Sequence, residues 1–353
     1  MSTTWINGRR WDLAWLIGSG AVVPLGLVAV RAGVSADWIN LAVTALVGGP
    51  HLFATFVATY LDPGFRRAHG RALAAVSVLV PAFVVAMTWW NFQVLLSVFI
   101  FAASLHVLQQ NAYLADVYRR RAGRAEPAWS RAVDVGLLFV SFYPIASYKL
   151  VRNDFLMGEV PILIPSLART PFTYQAVWAA FVLLLAAWLA KSVVEGRRGL
   201  LNIPKTVLIG VTTSIAFLVP AAAGGERLEL AFQSVNAWHS IQYLAIIWVI
   251  LKVRKERGTS PSRLVARLSG PGGATALFYG LVLGVSAALL FLAAGLARWD
   301  PLGFTSGQYY YMSILSFLFI HYALDTWLFF AAGRAAAKPD EIPLAAAAAP
   351  RPT

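Results

Sequence analysis

Long apolar stretches alternate with short basic segments along almost the whole chain. Most of the apolar stretches reach about the 20 residues that an α-helix needs to cross a bilayer. The pattern predicts ten membrane-spanning helices, at about residues 13–32, 38–61, 72–90, 92–117, 131–150, 172–194, 203–223, 229–251, 273–297 and 307–331. We therefore expect an all-α transmembrane bundle, with residues 1–333 as one domain and the Ala- and Pro-rich segment 334–353 as a disordered tail.

Composition supports a membrane protein. Of the 353 residues, 59% are hydrophobic and 13% are charged, and the mean hydropathy is +0.66. A soluble domain has about 45–50% apolar and about 25% charged residues. The chain has no cysteine, which excludes disulfides and thiolate metal ligands.

The formal net charge of +13 raises the possibility of a nucleic-acid partner, so the positions of the charges matter. With a cytoplasmic N-terminus and ten spans, nearly all of the 29 lysines and arginines fall in cytoplasmic segments. The exceptions are Arg31, Lys149, Arg152, Arg169, Arg227 and Arg298. This is the positive-inside pattern. The charge therefore reports topology, with both termini cytoplasmic in a bacterial inner membrane, and a nucleic-acid partner is not expected.

One non-cytoplasmic connection, 151–171, is itself apolar and interrupted by proline. This composition suits a segment that lies in the membrane interface over the end of a helix bundle. We predict that it is an interfacial segment and a candidate lid.

The five histidines divide into two groups. His69 lies in the basic segment "DPGFRRAHGR", where a solvated or headgroup-facing loop position is expected. His51, His106, His239 and His321 fall inside predicted spans 2, 4, 8 and 10, which all run in the same direction. Their distances from the starts of these spans agree within about one helical turn. Ionisable side chains inside a membrane are costly and usually mark a functional site, so we predict one four-histidine metal site at mid-membrane.

Polar residues accompany each histidine at helical spacing, where side chains three and four positions apart share a face. The predicted partners are Thr55 and Thr59 for His51; Gln109, Gln110 and Tyr113 for His106; Asn236, Gln242 and Tyr243 for His239; and Asp325 for His321. A metal-bound imidazole normally donates its other N–H to a carboxylate, amide or carbonyl. The amides could instead form hydrogen bonds between helices.

His51 follows directly after Gly48, Gly49 and Pro50. Proline removes a backbone hydrogen bond and bends a helix, and glycines permit close approach of a backbone or a ligand. The motif predicts a bend that aims His51 toward a central cavity, with a simple packing kink as the alternative.

Imidazole suits iron, copper and zinc. Four neutral nitrogens favour one Fe(II), with Asp325 offsetting charge or binding as a fifth ligand. Neither the H-E-x-x-H motif of zinc proteases nor the clustered histidine boxes of membrane desaturases are present.

Two other classes of protein remain open. Transmembrane histidines can clamp haem for electron transfer, although two haems that carry electrons across a membrane would lie at two depths. Histidines with Gln110 and Asp325 could also line a proton path or a transport path. A transporter would have polar residues spread along that path, whereas here they concentrate at mid-depth.

The element "GGPHLFAT" and the isolated membrane histidines resemble the membrane β-carotene dioxygenases of bacteria and archaea. The resemblance covers this Gly-x-Pro-His element and the histidine count. It implies one non-haem iron held by four histidines. Only His51 matches the motif of the family, so the resemblance assigns a ligand role to His51 alone. The residues after His51, Leu52 to Thr55, depart from the Gly-Ala-acidic continuation of that family.

The sequence thus predicts a histidine-ligated non-haem iron oxygenase that uses dioxygen on a lipophilic substrate entering from membrane lipid. Haem, copper or zinc are the alternatives to Fe(II), and an electron donor is not identified. The predicted substrate-pocket residues are Phe53, Trp238, Tyr322 and Trp327.

Reporter fusions test the predicted topology. Fusions after residues 124, 197 and 258 should report the cytoplasm, and fusions near 154, 226 and 300 should report the opposite side. An adjacent pair of fusions that both report one side would contradict the common direction of the four histidine-bearing spans.

Overall fold

The computed structural model describes residues 4–123, 126–143, 151, 155–157, 159–223, 228–256, 258 and 262–331. The predicted tail 334–353 and the end of the fifth predicted span, 144–150, lie outside these residues. The predicted interfacial segment lies only partly within them.

The described chain is almost entirely helical, which confirms the all-α prediction. Its α-helices are α1 (Arg9–Asp12), α2 (Val22–Arg31), α3 (Ala36–Val43), α4 (Gly49–Ala58), α5 (Pro63–Arg121), α6 (Ala128–Ser141), α7 (Pro171–Arg197), α8 (Ile203–Ala223), α9 (Leu228–Glu256), α10 (Arg263–Arg267), α11 (Gly273–Trp299) and α12 (Ser306–Asp325). The described residues also contain three π-helical turns, at Leu13–Ile17, Thr44–Gly48 and Thr326–Ala331, and 3-10 turns at Gly18–Ala21 and Ser166–Arg169. The two-residue strands β1 (Leu156–Met157) and β2 (Val160–Pro161) pair antiparallel, with Leu156 opposite Pro161.

Within the described residues, seven helical stretches are long and apolar enough to cross a membrane. They are Arg9–Arg31, Asp37–Ala58, Pro63–Arg121, Pro171–Arg197, Gln233–Glu256, Gly273–Trp299 and Ser306–Phe329. These stretches support a membrane protein. The count of ten spans and the cytoplasmic termini stay predictions.

The 59-residue helix α5 is too long to cross a membrane once. At 1.5 Å per residue it would measure about 90 Å, against a hydrocarbon core of about 30 Å. Its backbone is non-helical at Asn91, with φ −158° and ψ 85°. The Asn91 Oδ1 accepts a hydrogen bond of 3.0 Å from the Val94 N–H, as an N-cap residue does. Asn91 therefore divides α5 into two arms, at the boundary predicted between residues 72–90 and 92–117.

The chain separates into two compact units. Unit 1 contains residues 1–39 and 96–239, and unit 2 contains residues 40–95 and 240–353, as far as they are described. In unit 1, α6 packs against α7 and α8. In unit 2, α4, α11 and α12 pack against one another. The prediction of a single domain over 1–333 stays a prediction.

Ion pairs are buried between the helices of unit 1. Lys205 Nζ lies 2.6 Å from Glu126 Oε2 and 3.0 Å from Asp134 Oδ2. Lys191 pairs with the same Asp134 and donates to Ser130 Oγ over 3.2 Å. Burying a charge is costly unless it is paired, so Asp134 links α6 to both α7 and α8. From the sequence, Lys191 and Lys205 were expected only to be basic residues of cytoplasmic segments. The ion pairs that they form were not predicted.

The expected loop position of His69 is wrong. Helix α5 begins at Pro63, so His69 lies in its second turn rather than in a loop. The imidazole is half-buried and stacks on Trp327, with ring centroids 5.9 Å apart and planes 7° from parallel. Proline at the first position of a helix is favourable because its missing N–H has no partner there.

In unit 2, α4 approaches α11 closely at Gly49. A Cβ added to Gly49 would overlap the Ser286 hydroxyl and lie 2.9 Å from the Ser286 Cβ. Ser286 is itself buried. Gly49 therefore permits close helix packing, which is one of the two roles expected of the glycines before His51, although the neighbour here is a side chain rather than a backbone.

The variant Gly49→Ala tests this packing. We expect it to destabilise the protein by about 1–3 kcal/mol, as overpacking does, and to lower the midpoint of thermal denaturation. Ser286→Gly in the same chain removes the clashing side chain and should recover most of the loss. An unchanged midpoint in Gly49→Ala alone would contradict the close approach.

Candidate functional site

The intramembrane histidines form one contacting pair in each unit. In unit 2, the rings of His51 and His321 have centroids 4.9 Å apart and are nearly perpendicular. In unit 1, the rings of His106 and His239 have centroids 5.0 Å apart and cross at 82°. All four side chains are buried. Convergence of the four on one metal stays a prediction.

The backbone before His51 is irregular, and this irregularity positions the imidazole. Pro50 has no N–H, so the carbonyl of Leu46 loses its ordinary helical donor. The Tyr279 hydroxyl donates to that carbonyl over 2.5 Å. The π-turn Thr44–Gly48 ends directly before α4, and the Gly48 carbonyl lies 2.5 Å from His51 Nδ1.

This contact determines the tautomer of a neutral His51. A carbonyl oxygen only accepts hydrogen bonds, so Nδ1 carries the proton and Nε2 carries the lone pair. Ser240 Oγ lies 3.2 Å from the same Nδ1. An imidazole that donates one N–H to a carbonyl and presents its other nitrogen has the arrangement typical of a metal ligand.

His321 is oriented by a chain of hydroxyl groups in unit 2. Tyr243 donates from its hydroxyl to Asp325 Oδ1 over 2.5 Å, and Thr55 Oγ1 lies 2.6 Å from that hydroxyl. Thr55 Oγ1 also lies 2.6 Å from His321 Nδ1. Because the tyrosine proton points to Asp325, the Thr55 hydroxyl can donate its own proton to Tyr243 or to Asp325, and in either case it accepts from His321 Nδ1. The chain therefore runs from imidazole to carboxylate and places the His321 lone pair on Nε2.

Asp325 is linked to His321 through Tyr243 and Thr55, and its other carboxylate oxygen also lies near the His321 ring directly. Its Oδ2 lies 3.7 Å from His321 Nε2, one helical turn away on α12. With Asp325 ionised, both atoms offer electron pairs at this distance, an arrangement that a cation stabilises. Ligand atoms of His51 and His321 also lie within 4.8 Å of each other, a separation at which both imidazoles could bind one metal ion. We call His51, Thr55, Ser240, Tyr243, His321 and Asp325 the polar cluster.

The histidine pair of unit 1 has an amide partner. Gln110 donates from Nε2 to the backbone carbonyl of His239 over 3.3 Å. Gln110 is buried, whereas Gln109 is exposed. Of the two amides predicted beside His106, Gln110 is thus the one that the described contacts bring to the pair.

The remaining predicted residues occupy different surroundings. Trp238 is buried in an apolar cluster of unit 1 with Val107 and Ile215. Trp327 stacks on His69, and the Tyr322 ring lies 5.6 Å from that of His321. Gln242 is buried and Asn236 is partly exposed.

Unit 2 contains an apolar cavity of about 780 Å³. It is lined by helices α4, α11 and α12, by the first arm of α5 and by Leu264. Phe53 of the predicted pocket lines it, whereas Tyr322 and Trp327 are not among its lining residues. Its volume is within the range of small-molecule sites, about 300–1,000 Å³.

Sequence reasoning missed Ser240 and the Gly48 carbonyl as partners of His51. Ser240 is three residues before Tyr243 on α9, so the helical spacing applied to Tyr243 would have found it. The carbonyl contact depends on the π-turn, for which the sequence contains no periodic signal.

Comparison with known proteins adds no family to this geometry. No protein-family model, curated protein or solved structure matches the chain. The resemblance to the membrane carotene dioxygenases therefore stays a prediction.

The variant Thr55→Val tests the hydroxyl chain. Valine keeps the shape but removes the hydroxyl between His321 and Tyr243, so we expect a loss of about 1–3 kcal/mol of stability for the buried group left without its partner. Thermal denaturation in detergent measures this loss. Thr55→Ser should retain stability.

A matched control is Thr88→Val in the same unit. Thr88 is buried, and its hydroxyl donates 2.8 Å to the Val84 carbonyl of its own helix. Equal effects of Thr55→Val and Thr88→Val would contradict a special role of the Thr55 hydroxyl.

Proposed function

We propose that the protein is a membrane-embedded, histidine-ligated iron oxygenase that acts on a lipophilic substrate. The observation that carries the proposal is the orientation of His51 and His321. Nδ1 of His51 is hydrogen-bonded to the Gly48 carbonyl, and Nδ1 of His321 is hydrogen-bonded to Thr55 Oγ1. The lone pair of each neutral ring is therefore on Nε2, within the buried polar cluster. The apolar cavity in the same unit supports the choice of substrate.

The residues of the polar cluster fit a divalent metal. Neutral imidazole nitrogens with one carboxylate suit iron, copper and zinc. Bound Fe(II) would supply the activation of dioxygen. Asp325 would offset the positive charge of the metal, and the Tyr243 and Thr55 hydroxyls hold the His321 ring in one orientation.

The surroundings of the cluster exclude water. The side chains of the polar cluster are buried, and Phe53, two residues after His51, lines the apolar cavity. A dry site strengthens electrostatic interactions and limits side reactions of reactive oxygen species with solvent. These are the conditions that oxidation of a lipid-soluble molecule requires.

A proton relay is the second candidate function. The directed chain from His321 through Thr55 and Tyr243 to Asp325 favours it, because each group can pass a proton to the next. It requires no metal. Metal analysis therefore separates the two candidates, and an absorption spectrum separates non-haem iron from haem.

The test of the proposal is the metal content of the purified protein. We expect stoichiometric iron by mass spectrometry and no Soret band. His321→Ala should lose the iron because a direct ligand is removed, whereas His69→Ala, outside the polar cluster, should retain it. Full iron occupancy in a folded His321→Ala variant would contradict the ligand assignment.

The same measurement tests the other predicted ligands. The sequence prediction that His106 and His239 complete the ligand set requires that His106→Ala and His239→Ala also lose iron. Retention of iron in both variants would limit the ligands to the polar cluster of unit 2.

Asp325→Asn separates an orienting role from direct ligation. Asparagine keeps the shape and one acceptor oxygen but removes the charge, so we expect metal affinity or activity to fall about 10–100-fold, as changes to the partners of ligands usually do. Iron titration measures the affinity. Complete loss of iron in the folded variant would make Asp325 a direct ligand.

A further inference from the structure

The walls of the apolar cavity in unit 2 are formed by side chains on one face of each surrounding helix. Phe53, Phe56 and Val57 of α4 face Val282 and Leu289 of α11 across it, and Phe317 of α12 lines it as well. These apolar walls suit an apolar molecule rather than a solvated ion.

The cavity reaches the outer surface of unit 2. Val85, Val285 and Leu292 line it and are also exposed. They lie on helices that are long and apolar enough to span a membrane, so in a bilayer these side chains would face lipid. An occupant can therefore enter sideways from the bilayer without crossing an aqueous phase.

Most polar groups on the cavity wall are bonded to other protein groups. Tyr60 and Ser77 share a hydrogen bond of 2.5 Å between their hydroxyls. The Ser316 hydroxyl donates to the Met312 carbonyl over 2.7 Å. These groups are satisfied within the protein and need nothing from an occupant.

Ser313 differs from these residues. Its side chain lines the cavity and the residue is only 8% exposed, yet no other described residue forms a hydrogen bond with its hydroxyl. Buried polar groups are almost always hydrogen-bonded, and a group without a partner is costly. The hydroxyl is therefore available to a bound molecule.

We propose that this cavity binds a long apolar chain that carries one neutral oxygen group, an alcohol or a carbonyl, and that Ser313 forms a hydrogen bond with that oxygen. The cavity walls fit the chain, and the serine hydroxyl can either donate or accept. None of the described residues that line the cavity is charged, so a phosphate or carboxylate head group would have no counter-charge among them.

The position of Ser313 on α12 determines how such a molecule would lie relative to the polar cluster. At 1.5 Å per residue, Ser313 is about 12 Å along the helix axis from His321. Ile320, the residue before His321, also lines the cavity. A chain anchored at Ser313 and extending along α12 thus brings an internal carbon, not its oxygen-bearing end, toward His321. This part of the inference rests on the proposed function, since it assumes that His321 belongs to a reaction centre.

Binding is measured with tritiated hexadecanol and tritiated hexadecane on the full-length protein in nanodiscs. We expect the wild type to prefer the alcohol. Ser313→Ala should weaken alcohol binding about twofold to tenfold, the effect of one lost hydrogen bond, and leave alkane binding unchanged. Ser316→Ala is the matched control, because its hydroxyl is on the same helix and the same wall but is already bonded.

Two outcomes would overturn the proposal. Equal binding of alcohol and alkane that Ser313→Ala does not alter would identify the cavity as a non-selective lipid-filled space. Undiminished binding of both probes in Val282→Phe, which fills part of the cavity, would place the probes elsewhere.

These measurements do not depend on a metal. A protein that lacks iron but shows the Ser313-dependent preference would refute the proposed oxygenase and leave the binding site standing. A protein that contains iron but shows no such preference would do the reverse. Product analysis with the alcohol then tests whether an internal carbon is oxidised.

Discussion

The structure of unit 2 depends on one constraint: a polar side chain buried in an apolar helix bundle needs a partner within that bundle. Membrane lipid offers neither hydrogen bonds nor counter-ions, so unmatched groups are strongly destabilising. The chain from His321 through Thr55 and Tyr243 to Asp325 satisfies this requirement and at the same time orients an imidazole. Stability and positioning therefore come from the same contacts.

The backbone obeys the same constraint where it departs from a regular helix. Pro50 deprives the Leu46 carbonyl of its helical donor, and Tyr279 replaces that donor. A π-turn ends just before α4, and another begins directly after Asp325, so irregular turns adjoin two of the three helices that carry the polar cluster. π-turns frequently occur at functional sites, because they change the direction of side chains within a helix.

The two units bury polar groups in different ways. Unit 1 pairs full charges, with Asp134 between Lys191 and Lys205, and such a network holds helices together without leaving a group for chemistry. Unit 2 also has an ion pair, between Arg254 and the buried Asp62, but its polar cluster combines imidazoles and hydroxyls with the Asp325 carboxylate, and an apolar cavity lies in the same unit. Neutral nitrogen donors near a dry cavity suit a metal and a lipid-soluble molecule, which is why the proposed function centres on unit 2.

Local pattern was enough to predict the helical fold, the membrane class and part of the polar cluster. The apolar stretches are long enough to require helices in lipid, and four-residue spacing placed Asp325 on the same helix face as His321, where the two side chains lie 3.7 Å apart. The same spacing assigned Thr55 to His51, whereas the Thr55 hydroxyl contacts His321 and Tyr243. Periodicity identifies which residues share a helix face, but it does not identify the residues against which that face packs. Only the tertiary structure placed Thr55 against Tyr243 and His321, buried Trp238 in an apolar cluster, exposed Gln109 and stacked His69 on Trp327. These outcomes depend on helix rotation, on π-turns and on close packing at Gly49, which are decided by contacts between residues far apart in the chain.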